Sequence, residues 1–297
     1  MTLSTRGKVF LSLFVLLTIT VIVYAITGSD GRSDFQPTEE FRLNPWIDGP
    51  GKLDFTRATL YLLLAVGLTA GAMVYIAGKM KARPNRVQTA VEALYTLMKD
   101  NITEGNMDDK MARKWFPFVG TLFLFIWFSN LIGYIPLPTN DHAPVDIFGI
   151  EVPQFALYAA TANISVQLAL SLMVWFAYHI EGVRAQGFKG YMKSWIPAGV
   201  EGPAAGPIFL IEVISHFVRV ISLSVRLFAN ILAGHLLILL MAGGLAVILG
   251  LSALGVVTLP VAVVFFLFEV VLVATLQSFI FATLTAIYLG GATSEHH

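Results

Sequence analysis

The chain has 297 residues, of which 56% are hydrophobic and only 13% charged, and its formal net charge is zero. A soluble domain carries about a quarter charged residues, and the apolar residues here come in long runs rather than periodic stripes, which excludes a pair of soluble domains. The balanced charge points to no nucleic acid, and the absence of cysteine removes disulfides, thiolate metal sites and cysteine nucleophiles.

A transmembrane helix needs about 20 mostly apolar residues to cross a hydrocarbon core of roughly 30 Å. The first candidate, Val9 to Thr27, follows Arg6 and Lys8. It reads as a signal-peptide core or as a signal anchor, and its length without a clear small-x-small cleavage site favours an anchor over residues 1–28. Residues 29–55 form an external loop, in which Asn44-Pro45-Trp46 reads as an interfacial aromatic anchor or as ordinary loop. The next span, Leu60 to Gly78, stops at Lys79, Lys81, Arg83 and Arg86. Arg86 to Glu104 carries apolar residues at Val87, Val91, Leu94, Leu97 and Met98, the spacing of a helix lying along the inner interface. Phe116 to Pro136 and Phe155 to Tyr178 complete three membrane helices within residues 56–206. The remainder, 207–297, is almost wholly apolar from Pro207 to Gly290 and must fold back at least once, with Gly243, Gly244, Gly250, Gly255 and Pro260 marking where. No internal repeat of the kind seen in many secondary transporters is visible. The expected fold class is an all-α integral membrane protein with about six membrane helices.

Lysine and arginine in the loops set the orientation. Arg6 and Lys8, the basic stretch from Lys79 to Lys114, and Arg184, Lys189 and Lys193 fall on one side at every crossing. The alternate loop from Thr139 to Pro153 has Asp141, Asp146 and Glu151 and neither lysine nor arginine. Four single spans and a terminal hairpin therefore place both termini in the cytoplasm.

The most informative segment lies between Pro207 and Gly243. Glu212, Ser215, Arg219, Ser222, Arg226 and Asn230 stand in otherwise apolar sequence at steps of 3, 4, 3, 4 and 4. Seven residues return to within roughly 20° of the same helical face, so Glu212, Arg219 and Arg226 stack in one line with Asn230 beside it. A charge at mid-membrane costs at least about 2.5 kcal/mol. Glu212 and Arg219, near the helix start, either pair at i,i+7 or belong to an ion path. Arg226, with leucine, isoleucine and phenylalanine on both sides, is a fixed positive charge, because arginine does not lose its proton in a protein. A helix from Pro207 to Ala242 is about 54 Å long, which calls for a break or a strong tilt. His216 stands one turn after Glu212, the spacing of a local hydrogen bond. His235 is nine residues from Arg226, about 180° round the helix. With Glu269 on an adjacent helix it reads either as a proton relay or as a satisfied core histidine beside its carboxylate partner.

These residues carry a family resemblance. Ser224-Val-Arg-Leu-Phe-Ala-Asn-Ile-Leu-Ala-Gly-His235 closely resembles the signature of subunit a of F-type ATP synthases. Leu276-Gln-Ser-Phe-Ile-Phe-Ala-Thr-Leu-Thr-Ala-Ile-Tyr288 is similar to the final helix of that family, and Trp127-Phe-Ser-Asn-Leu-Ile-Gly-Tyr-Ile-Pro136 to an earlier span. The likeness covers roughly Leu53 to Gly290. It implies that Arg226 is the essential stator arginine facing the rotating c-ring, and that Asn230 and Gln277 line the contact with that ring. It implies that Glu212 and His235 lie along two aqueous half-channels, that Arg219 matches a basic residue seven before the arginine, and that Ser222, with Ser215, is a small polar position beside the seam. The last two helices are then long, strongly tilted and paired as a hairpin against the rotor. The partners implied are the c-ring proteolipids, the peripheral-stalk subunit b, the remaining ATP synthase subunits and the lipid bilayer of a bacterial inner membrane. Two departures stand out. Glu269 precedes Gln277 by eight residues where the family is expected to have seven, which costs about 80° of rotation unless a local bulge restores the face. Around Thr161 to Gln167 the polar residues are Asn163 and Gln167, where the family often has an aspartate.

The function expected from the resemblance is a stator whose half-channels carry protons to and from the c-ring, with Arg226 between them. Two rivals remain: a stand-alone ion or solute transporter with a buried charged seam, and a scaffold whose charges pair between helices. The sequence has no P-loop, no Gly-x-Ser-x-Gly and no metal-ligand cluster, so no cofactor is expected and the chain is non-catalytic on its own.

Overall fold

The computed structural model describes residues 43, 45–47, 54–80, 85–147, 150–196, 199–200, 202–244 and 254–293. The expected anchor at Val9 to Thr27 and most of the first external loop lie outside the described residues.

Helices dominate because the chain must satisfy its backbone internally wherever water is absent. In chain order they are α1 (Arg57–Lys79), α2 (Arg86–Thr96), α3 (Asp109–Gly133), α4 (Ile164–Lys193), α5 (Ala205–Leu239), α6 (Gly255–Phe268) and α7 (Ala274–Thr293). Three stretches continue a helix with π-helical hydrogen bonding: Leu97–Glu104 after α2, Leu240–Gly244 after α5, and Glu269–Val273 between α6 and α7. Five spans among the described residues are long and apolar enough to cross a membrane; the last two, Gly202–Gly244 and Gly255–Thr293, run to 43 and 39 residues. That excess length agrees with the expectation drawn from the apolar terminal third.

Side-chain caps set two helix starts. Asn85 Oδ1 accepts the backbone N–H of Gln88 at 2.8 Å and opens the interfacial helix α2. Asn163 Oδ1 accepts the N–H of Ser165 at 2.9 Å and opens α4. Gly187, at φ 71° and ψ 161°, breaks the helical path inside α4, a backbone state that glycine reaches without a side-chain clash.

Two of the connections contain paired strands. Pro45–Ile47 (β1) pairs antiparallel with Phe55–Thr56 (β2), and Leu137–Ile147 (β3) with Ile150–Ala156 (β4). The second ladder uses β-branched residues on both strands, pairing Val145 with Val152 and Ile147 with Ile150. Trp46, read from sequence as interfacial anchor or loop, sits in β1 with its ring 6.4 Å from that of Phe55.

The described residues fall into two compact units, one holding 43–232 and 270–293, the other 233–244 and 254–269. In the larger unit α7 packs on α3 and α4, and α1 packs on α3. The α7 contact face is Ala274, Gln277, Ser278, Phe281, Ala282, Thr285, Ala286 and Leu289, mostly small residues that let helix backbones approach. Tyr61 of α1 meets Tyr158 edge-on at 5.6 Å, in a cluster with Ala58, Ala65, Ile132 and Ala160. In the smaller unit Leu240–Gly244 packs on α6.

Candidate functional site

The polar stripe lies on α5 as the spacing requires. Ser222, Arg226 and Asn230 are exposed, in company with Val218, Ile221, Val225 and Ala229, whereas Leu223, Ser224, Leu227 and Ile231 on the other side are buried. One face of α5 is thus an open strip of small, branched and polar side chains with a guanidinium in its midst. Among the described residues no carboxylate pairs with Arg226.

Nearer the start of α5 the charges are paired. Arg219 Nη2 donates to Glu212 Oε1 at 2.9 Å. The i,i+7 pairing therefore forms, two turns apart on one face, and both residues are half-buried. His216 sits beside them, buried, with Nε2 3.8 Å from the same Glu212 oxygen and Nδ1 2.9 Å from the Tyr178 hydroxyl of α4. Arg219 Nη1 lies 3.5 Å from His216 Nδ1, and its guanidinium carbon lies 5.6 Å from the Tyr288 ring centroid of α7. Rings of His179 and Trp195 stand 4.8 Å and 4.4 Å from His216. The local hydrogen bond expected between Glu212 and His216 is not made at 3.8 Å; His216 bonds Tyr178 instead, within a larger aromatic and charged cluster. Ser215 and Arg219 also line a shallow groove of about 380 Å³ with Ile211, Ile214 and Val218.

In the smaller unit, Gly234, His235 and Glu269 are all buried. The Glu269 carboxylate occupies the space that a Cβ on Gly234 would fill. The sequence Gly234-His235 thus brings the Glu269 carboxylate against the α5 backbone, one residue from the histidine. An alanine there would collide with it.

Glu269 opens the π-helical stretch Glu269–Val273. An i→i+5 ladder takes in one residue more than an i→i+4 ladder. Gln277 is buried on α7.

A second polar group lies at the α3, α4 and α7 contact. Asn130, fully buried, donates through Nδ2 to the Ala274 carbonyl at 3.2 Å, and Thr161 Oγ1 donates to Asn130 Oδ1 at 2.7 Å. Gln167, also fully buried, donates through Nε2 to the Thr161 carbonyl at 2.7 Å. Asn163 acts locally as the α4 cap described above. Sequence reading singled out Gln167 and quoted Asn130 within a motif, but missed the network joining them. It also missed Tyr178 and the ion pair of Lys114 on α3 with Glu181 on α4. Glu181 lies just past the apolar run that ends at Tyr178, three residues before Arg184, and nothing in its spacing signalled Lys114 as its partner.

Several membrane-length helices, one of which presents a charged and polar strip, define an α-helical multi-pass membrane protein of the ion-handling kind. The ATP synthase A chain family matches residues 59–290. The chain is 34% identical over 88% of its length to ATP synthase subunit a of Bradyrhizobium diazoefficiens, covering 98% of that protein. It is 34% identical over 86% of its length to the subunit a of Rhizobium rhizogenes, covering 96%. For the subunit a of Brucella ovis the identity is 32% over 88% of the chain and 98% of the relative. The chain belongs to the ATP synthase A chain family. It is an all-α integral membrane subunit of an F-type ATP synthase, working in complex with the other subunits of that assembly.

Proposed function

We propose that the chain forms two half-channels, each open to one side of the membrane, that carry protons to and from carboxylates on a c-ring, with Arg226 separating them. The observation that carries this reading is the exposed strip of α5, where Arg226 stands without a carboxylate partner among the described residues. A cation costs at least about 2.5 kcal/mol at mid-membrane. A passing ring carboxylate is the partner that offsets this cost, and the same charge repels protons moving directly between the channels. Serine and alanine along the strip let another helix approach closely. Glu212 and the groove at Ser215 and Arg219 belong to one half-channel, His235 and Glu269 to a proton relay, and Asn230 to the ring contact, whereas Gln277 is buried in the packing face of α7.

One charge crossing 100 mV releases about 2.3 kcal/mol, so several protons pass for each ATP. The basic loops support an orientation with both termini in the cytoplasm of a bacterium, and in this reading subunit b is the stalk partner that holds the chain against rotation. The experiment is ATP-driven proton pumping by the assembled complex in inverted membrane vesicles. Arg226→Ala is expected to abolish pumping. Undiminished pumping in that variant removes the proposed role.

A further inference from the structure

Arg219 and Arg226 stand seven residues apart on α5, about 10 Å along its axis and within roughly 20° of one face. The Arg219 side chain is 36% exposed and lines the groove that Val218 and Ser215 share with it, at the edge of the open strip. Its charge is permanent and rides on a long stem with many rotamers. Glu212 alone is a weak restraint on it, because half-exposed ion pairs contribute little. A carboxylate on a proton path also gives up that pair whenever it takes a proton.

Buried on the inner side of α5, His216 supplies a second restraint. Its Nδ1 faces Arg219 Nη1 at 3.5 Å and the Tyr178 hydroxyl at 2.9 Å. A guanidinium only donates, so Nδ1 is the accepting nitrogen, and the proton of the neutral ring sits on Nε2. That nitrogen is the one 3.8 Å from Glu212 Oε1. Each edge of the imidazole thus meets its complement, the lone pair towards Arg219 and the N–H towards Glu212. The lone pair is offered to Arg219 whether Glu212 is ionised or protonated. Tyr178, reaching over from α4, shares that lone pair in a three-centre arrangement and fixes the ring.

We propose that His216, fixed by Tyr178, is a positioning residue that parks the Arg219 guanidinium beside the strip, so that Arg226 alone meets a ring carboxylate. This rests on the half-channel reading, in which a carboxylate must be ionised at Arg226 and free to hold a proton elsewhere. An opposite charge close by favours the ionised form. A second loose guanidinium two turns before Arg226 would hold the passing carboxylate ionised about 10 Å out of place.

The test uses the assembled complex in inverted vesicles, with ATP-driven pumping as the readout. His216→Phe keeps a ring for His179 and Trp195 to pack against but offers Arg219 no acceptor, and it is expected to lower pumping several-fold. His216→Asn sets an amide oxygen near the place of Nδ1 and is expected to keep most of the activity. A histidine needed only for packing gives the reverse order, with phenylalanine tolerated and asparagine not. In an Arg219→Gln background there is no guanidinium to park, so His216→Phe is expected to add no loss to whatever that background shows. Tyr178→Phe removes only the hydroxyl and serves where His216→Phe fails to assemble; its smaller loss should vanish in the Arg219→Gln background likewise. Where Arg219→Gln by itself abolishes pumping, the comparison of phenylalanine with asparagine decides. Native activity in His216→Phe, an asparagine variant no better than the phenylalanine one, or equal fractional losses with and without Arg219 overturns the proposal. Arg226→Ala decides separately whether the half-channel reading stands, whatever the His216 variants do.

Discussion

Arg219 bonds Glu212 across 2.9 Å, two helical turns away, while Arg226, seven residues further along the same helix, has no carboxylate partner among the described residues. Two arginines in equivalent register thus have opposite electrostatic circumstances. The first is neutralised by a neighbour on its own helix, and the second, among the described residues, is not.

The first prediction concerns the paired arginine. Removing one member of an ion pair in low dielectric leaves an uncompensated charge, which costs more than removing both. Glu212→Gln should therefore lower the thermal stability of the detergent-solubilised complex more than the double variant Glu212→Gln with Arg219→Gln. Both residues are half-exposed, so the coupling should be modest, about 1 kcal/mol or less. A double variant less stable than either single one contradicts the pairing.

Gly234 yields a second, steric prediction. A methyl group there meets the Glu269 carboxylate, and overpacking of this kind costs about 1–3 kcal/mol. Gly234→Ala should impair pumping, and Glu269→Asp, which withdraws the carboxylate by one methylene, should partly restore it in the double variant. The pumping rates of the three variants decide the matter, and an unimpaired Gly234→Ala contradicts the packing.

A third prediction concerns Tyr158, which lies outside the spans because the helix expected from Phe155 begins only at Ile164. Burial pushes its hydroxyl up from an ordinary 10.0 to about 12, against the opposing pull of the Arg57 guanidinium, 4.8 Å from its ring. The folded value exceeds the unfolded one, so the stabilising contribution is complete below pH 10 and is lost as pH rises towards 12. Tyr158→Phe should flatten the alkaline unfolding profile in that window, followed by circular dichroism. An unchanged profile counts against a buried neutral phenol.

Much of this structure was legible beforehand because membrane insertion imposes a coarse code. Long apolar runs gave α1, α3, α4 and the terminal third, and i,i+7 spacing gave the Glu212–Arg219 pair. The β3–β4 ladder was not legible, because its strands are interrupted by Pro138, Pro144 and Pro153 and sit where water relaxes the demand for helix. The aromatic cluster of Tyr178, His179 and Trp195 around His216 was not legible either, since it depends on which faces of α4 and α5 meet. The bond from Asn130 to the Ala274 carbonyl was not legible, because the two helices concerned are far apart in sequence.

The most direct test of the central claim removes rotation from the measurement. With the c-ring held by a covalent cross-link, a potential is imposed across vesicles containing the complex and the proton leak is recorded. A fixed cation between two half-channels predicts tight membranes for the native chain and a measurable leak for Arg226→Ala. A locked Arg226→Ala complex as tight as the native one, or a native complex that leaks equally, would contradict it.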